Sequence, residues 1–367
     1  MSEPNACPDC EMGPLPVNRR QFIRVVAAGG LAGGLADRFA SVSPTAVAQT
    51  GVPPEAKPGI KTPSENLVKR LYATLSAAQK EEICFDWDYQ DDRGLLRTHV
   101  SNNWNITDAS KLNVGGEFFT GEQQALIREI FLGLYNPEWH ERILKQLQDD
   151  AGGYGKSQTI ALFGEPDSGK LEFVMTGRHL TIRCDGDSTE HMAFGGPIFY
   201  GHAASGFNEQ VGHPGNVFWY QAQKANRLFQ MLDGKQRAQS LVELTPHESA
   251  VGFRGRGEIP GLSLSELSAD QTEHARQVLS ALLEPYREQD QAEARRLLEA
   301  QGGLKSCRLA FYRKASDGSS IDLGDDGEWD CWRLEGPSFV WHYRGTPHVH
   351  VWVNVSDDPA VKLNAKG

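Results

Sequence analysis

Phe339 to Val355, FVWHYRGTPHVHVWVNV, is the stretch on which the fold turns. It reads as a β-hairpin. Trp341 and Tyr343 lead into a turn around Arg344, Gly345, Thr346 and Pro347, and the returning arm alternates strictly. His348, His350, Trp352 and Asn354 point one way; Val349, Val351, Val353 and Val355 point the other. The valines make a core face. The opposite face carries imidazoles two residues apart, where both nitrogens can reach one point. A loop of two or four residues sets Tyr343 opposite His348 and Trp341 opposite His350. An odd loop brings His342 onto that face instead.

A second β segment lies upstream. Gln158 to Phe163 reads as a strand, EPDSG (Glu165 to Gly169) as a turn, Leu171 to Met175 as the return, and Gly177 to Asp187 as a further strand. In that last strand His179, Thr181 and Arg183 lie opposite Leu180, Ile182 and Cys184. Gly164-x-x-x-x-Gly169-Lys170 matches most of a phosphate-binding loop, but Leu171 stands where Ser or Thr is required and a strand follows where a helix must begin. Ala193 to Glu209, AFGGPIFYGHAASGFNE, is Gly-rich and aromatic and reads as a shaped loop holding His202 and Glu209, with His213 close after.

Helical spacing marks the segments between: from Ser64 through Ala78, Gly121 to Tyr135, Pro137 to Leu147, Asn216 to Leu232, and a run from Lys235. A further pair begins at Ser263 or Ser268 and closes at Gly302-Gly303. From Ser306 to Val355 the chain reads as an antiparallel meander. No internal repeat is visible. The expected fold is α+β: an antiparallel sheet assembled from about 158–200 and 306–355 and flanked by helices, because neither segment alone holds enough strands for a good sheet. Residues 64–367 are expected to form one domain.

The N-terminal part reads as an address. NRRQFIR (Asn18 to Arg24), a mild apolar run from Val25 to Ala36 and Ala46-Val47-Ala48 resemble a twin-arginine signal peptide over residues 1–48, followed by a linker over 49–63. The expected location is periplasmic or extracellular, by the twin-arginine export machinery, which moves proteins already folded. No later run reaches the roughly 20 apolar residues of a membrane-spanning helix. The segment holds four basic and four acidic residues, so the net charge of −11 survives its removal. No basic stripe is available for phosphates, which argues against nucleic acid as a partner. Cys7 and Cys10 would leave with the signal. Of Cys84, Cys184, Cys307 and Cys331, the last two are the better candidates for a disulfide, and four buried thiols are the alternative.

Three histidines with an open position suit catalytic zinc, or a copper or iron centre. The expected metal ligands are His179, His348 and His350, with His202 or Glu209 as fourth ligand or base and Trp341, Tyr343 and Trp352 as an apolar wall. The partner would be a small-molecule substrate. A metal-free hydrolase would instead pair His348 or His350 with Asp185 or Glu209; Ser205 lacks the first glycine of a nucleophile elbow. A non-enzymatic carbohydrate- or small-molecule-binding protein would rely on an aromatic face including Trp104 and Trp219.

GRHLTIR (Gly177 to Arg183), GGPIFYG (Gly195 to Gly201), LDGKQR (Leu232 to Arg237) and HVHVWVN (His348 to Asn354) resemble a bacterial family catalogued as domain of unknown function 3500. The resemblance runs from the helix after Ser64 to the C-terminus. It implies export, often with a twin-arginine signal, and implies no activity. Members commonly carry two adjacent histidines after the glycine; here Arg178 precedes His179, so one carries over.

Overall fold

The computed structural model describes residues 63–186, 188–189, 191–202, 216–255, 257–314, 328–345 and 348–363. The expected signal peptide, nearly all of the linker, Glu209 and His213 lie outside them. The class is α+β, as the sequence reading expects. The strands are β1 (Cys84–Phe85), β2 (Gln90–Asp91), β3 (Gly94–Leu95), β4 (Thr159–Glu165), β5 (Lys170–Gly177), β6 (Leu180–Cys184), β7 (Ile198–His202), β8 (Leu241–Leu244), β9 (Leu262–Ser263), β10 (Arg308–Lys314), β11 (Cys331–Gly336), β12 (Phe339–Arg344) and β13 (Val349–Val355).

Eleven of these make one sheet, in the order β1-β4-β5-β6-β7-β13-β12-β11-β10-β8, with β9 also on β10. The two predicted β segments therefore join into a single large sheet. It is mixed and not wholly antiparallel, because β1 runs parallel to β4 and β8 parallel to β10. The junction is β7 against β13. This corrects the reading of 193–209 as a loop: Ile198–His202 is a central strand. Its residues are buried on both sides, so they show no alternation, and the flanking glycines mask it.

The strand order is palindromic about β7 and β13, and the order of elements along the chain repeats from one half to the other. Each half runs helix, short capped helix, edge strand, capped helix, helix, then four antiparallel strands. The capped helices begin with matching boxes: Ser76 with Gln79 and Thr120 with Gln123 in the first half, Asp233 with Gln236 and Ser268 with Gln271 in the second. Within each half the two glutamines bond each other. Gln79 Nε2 donates to Gln123 Oε1 at 2.9 Å, and Gln271 Nε2 donates to Gln236 Oε1 at 2.8 Å. The turns between helices of the two halves meet, with Asn136 N–H on Pro285 O at 2.9 Å and Arg287 N–H on Leu134 O at 3.0 Å. The chain thus repeats its architecture although residue identities show no repeat.

One face of the sheet carries the main core. Val349, Val351, Val353 and Val355 pack there with Trp341, Tyr343, Ile130, Phe131, Leu282 and Leu298. The other face is covered by irregular chain, where Val100 and Val251 meet Phe199, Val340 and Trp352. Buried guanidinium groups tether that chain: Arg183 donates to the carbonyls of His99 at 2.6 Å and Pro197 at 2.9 Å, and Arg333 to that of Ala250 at 3.0 Å. β13 is thus covered on both faces, which is why its polar residues are buried too.

The four cysteines among the described residues, Cys84, Cys184, Cys307 and Cys331, are free. Cys307 lies against Gly336 and Cys331 pairs with Arg344, at opposite ends of β11, so the expected disulfide has no geometry to form. Among the described residues no helix is long and apolar enough to cross a membrane.

Candidate metal centre

The hairpin register takes the odd-loop alternative. Arg344 pairs with His350, His342 with Trp352, and Trp341 with Val353. Trp341 and Tyr343 therefore lie on the valine face, which corrects their assignment to the wall of the histidine site. Phe199 takes that role: its ring centroid is 5.2 Å from that of His350 and 4.8 Å from that of Trp352.

His179 is not in a strand. It occupies the two-residue turn between Gly177 and Leu180, which pair as the last rung of β5 and β6. Its φ of 52° lies in the left-handed region, where a non-glycine residue costs on the order of 1 kcal/mol or more. Asn103 holds it there, accepting from the His179 N–H at 3.0 Å. The turn sets the imidazole against His348 and His350 at the start of β13.

The outcome is a tight cluster. His179 Nε2 is 3.0 Å from His348 Nε2 and 3.2 Å from His350 Nε2, and the last two are 2.9 Å apart. All three residues are 0% exposed. Outer carboxylates fix two of the rings. His179 Nδ1 donates to Asp150 Oδ2 at 2.8 Å, and His350 Nδ1 lies 3.2 Å and 3.3 Å from the two oxygens of Glu248. Each donation places the proton on Nδ1 and turns the Nε2 lone pair inward. Two inward lone pairs and His348 Nε2 then share one small volume. A single N–H cannot satisfy them fully, whereas an ion can bind all three. Ligands around a tetrahedral zinc stand about 3.3 Å apart, given bonds of about 2.05 Å. The observed spacing fits that size, and this buried group could hold a metal.

Charges agree with the arrangement. Burial pushes His348 and His350 well below the ordinary imidazole range, with neighbouring histidines and Arg344 adding to it. Burial alone would raise the Asp150 carboxyl, but hydrogen bonds and charge from His179 and His202 outweigh it and hold it well below the carboxylate range. Asp150 is thus an ionised acceptor. Asp150→Asn keeps the shape and removes that charge. We expect metal affinity to fall about 10- to 100-fold with folding retained, as for other outer-shell carboxylates; competition with a chromophoric chelator measures it, and unchanged affinity would contradict the role.

His202 closes β7 opposite Val349. It lies on the valine side and reaches Asp150 Oδ1 at 3.4 Å and Asp149 Oδ2 at 3.8 Å. It shares a carboxylate with His179 and stands outside the three-histidine cluster. Asp185 sits at the far end of β6, bonded by the Thr189 N–H at 3.0 Å, and cannot serve His348 or His350. Trp104, Trp219, Trp341 and Trp352 are all buried, so they offer no stacking face. Asp150, Glu248 and Arg344 were not singled out from the sequence. Asp150 ends a helix as one of two aspartates, and Glu248 follows His247 in an irregular segment; neither has a periodic signal.

Acidification should destabilise the metal-free fold. His99 is pushed down to about 4, chiefly by burial and then by Arg93 and Arg183, and His342 well down by burial and Arg333. A depressed histidine leaves stability intact above its unfolded value of about 6.5 and loses it as pH falls toward the folded value. Asp185, raised by burial and Glu172 to about 7, acts oppositely, losing stability as pH rises from about 4 to 7. His99, His342, His348 and His350 outnumber it. With chelator present, the melting temperature should drop from pH 7 to 4.5; a rise would refute the balance.

No curated protein and no solved structure matches the chain. Residues 61–352 match the family described as "Protein of unknown function (DUF3500)", which spans most of the sequence. The chain belongs to that family.

Proposed function

We propose that this protein is an exported, metal-dependent enzyme, a hydrolase or oxidoreductase acting on a small molecule, with His179, His348 and His350 as the ligands of zinc, copper or iron. The observation that carries the reading is the convergence of three buried Nε2 atoms within 3.2 Å, two of them backed by carboxylates. A structural need alone would be met more cheaply by apolar side chains at such depth. Bound there, an ion supplies a Lewis acid that can polarise a substrate oxygen or lower the pKa of a water.

The chain's own residues set the rest. Asp150 and Glu248 fix ring orientation and raise ligand basicity. Phe199 and Trp352 keep the surroundings apolar. His202, on the other oxygen of Asp150, and Glu209 are assigned as the candidates for moving a proton. The twin-arginine pattern at Arg19 and Arg20 supports export after folding, which suits an ion acquired before translocation.

Elemental analysis of the folded, purified protein tests the reading. Near-stoichiometric zinc, copper or iron is expected. A folded protein that takes up none of these ions overturns it.

A further inference from the structure

We propose that Arg344 binds an oxyanion of the substrate, a carboxylate or phosphate group, beside the ion held by the three histidines, so that the substrate class is anionic. This rests on the metal reading above. Arg344 on β12 is the register partner of His350 on β13, so the two side chains share one face as direct neighbours. Glu248 lies between them, 2.9 Å from Arg344 Nε and 3.2 Å from His350 Nδ1. That contact is an ion pair on the Nε side of the guanidinium and is not aligned as a hydrogen bond, so Nε is also buried without a hydrogen bond among the described residues. Nη2 is buried and has no hydrogen-bond partner among the described residues.

A buried donor left unpaired costs about 1–3 kcal/mol, and more when charged. Such a group at the rim of a candidate centre is accounted for if a ligand supplies the acceptor. A guanidinium presents a planar fork that matches carboxylate and phosphate oxygens. The charge balance points the same way. Asp150 and Glu248 bring two negative charges, while Arg344 and a divalent ion bring three positive. A buried centre that stays positive after its own carboxylates are counted favours an anion.

The test uses the full chain loaded with its metal and titrated calorimetrically with acetate, inorganic phosphate and neutral acetamide. Metal content is measured on every sample. At least one anion should bind tenfold or more tighter than acetamide, and the stronger of the two names the source. Arg344→Gln should retain the ion and lose about 10- to 100-fold of that affinity, the range for a hydrogen bond to a charged group. Arg344→Lys keeps the charge and should bind with intermediate strength. Equal binding of anions and acetamide, or unchanged anion binding in Arg344→Gln, overturns the proposal and leaves the metal reading standing. A wild-type protein that takes up no ion overturns both. Should Arg344→Gln fail to fold, the wild-type comparison and Arg344→Lys decide.

Discussion

His348→Ala and His350→Ala should each abolish stoichiometric metal while leaving a folded protein. Metal affinity is shared among few ligands. A structural zinc site binds with about 10–16 kcal/mol, or roughly 3–4 kcal/mol per ligand, so one lost imidazole costs about 10²–10³-fold. The cost here should reach the upper end, because His350 also carries the contact to Glu248. Without His350 that carboxylate keeps Arg344 as its one partner among the described residues, and the cluster keeps two of its three rings. Thermal unfolding supplies an independent readout. An ion at about 100 times its Kd stabilises the folded state by about 2.7 kcal/mol, which for a chain of this size is about 5 °C in Tm. Zinc should produce that shift in the wild type and not in either variant. Removing one imidazole also relieves the crowding of lone pairs, so in chelator the variants should melt closer to the wild type than a buried truncation normally allows. If both variants keep their metal, the ligand assignment is wrong.

The histidine pair was legible because β13 states its own geometry. Val349, Val351, Val353 and Val355 alternate with His348, His350, Trp352 and Asn354, and a strand with one apolar face can be read only one way. The pairing of that strand was not legible. Its register depends on loop length, and the two sequence alternatives put different residues beside His350; Arg344 emerged there only with the structure. His179 was correctly grouped with the pair but for an incomplete reason, since a turn with φ of 52° and not a strand delivers it. Asp150 and Glu248 carried no signal at all. Each lies far from its histidine in sequence, and a carboxylate in QLQDD or TPHES looks like any solvated acid until the fold brings it inward. The repeated architecture was hidden for a related reason. The two halves share capping boxes and element order, which constrain only a few positions each, while the core residues differ. The recurring Ser/Thr/Asp-x-x-Gln spacing at Ser76, Thr120, Asp233 and Ser268 was the available clue.

The junction between the halves is also where a single methyl group should do most damage. Gly201 sits on β7 directly across from His350. A Cβ at this position would stand 2.2 Å from Val349 O and 3.2 Å from His179 Cδ2. The first contact is with backbone, so no side chain can rotate away, and β7 and β13 must separate by most of an ångström. Among the described strands, that pairing is the one that joins the first five strands of the sheet to the rest. Overpacking a rigid core costs about 1–3 kcal/mol, and a backbone clash that also breaks ladder hydrogen bonds belongs at or above the top of that range. Gly201→Ala is therefore expected to lose about 3 kcal/mol or more of stability, and to lose metal as well, because the displacement moves His179 relative to His348 and His350. Gly234→Ala provides the control. Nothing lies within 4 Å of its Cβ, it opens the helix Gly234–Ser240, and alanine there should be neutral or stabilising by up to about 1 kcal/mol. Denaturant unfolding of both variants, each with its metal content measured, separates a local packing defect from loss of the junction. A Gly201→Ala protein as stable as Gly234→Ala, with its ion in place, would show that β7 and β13 do not approach as closely as the structure has them.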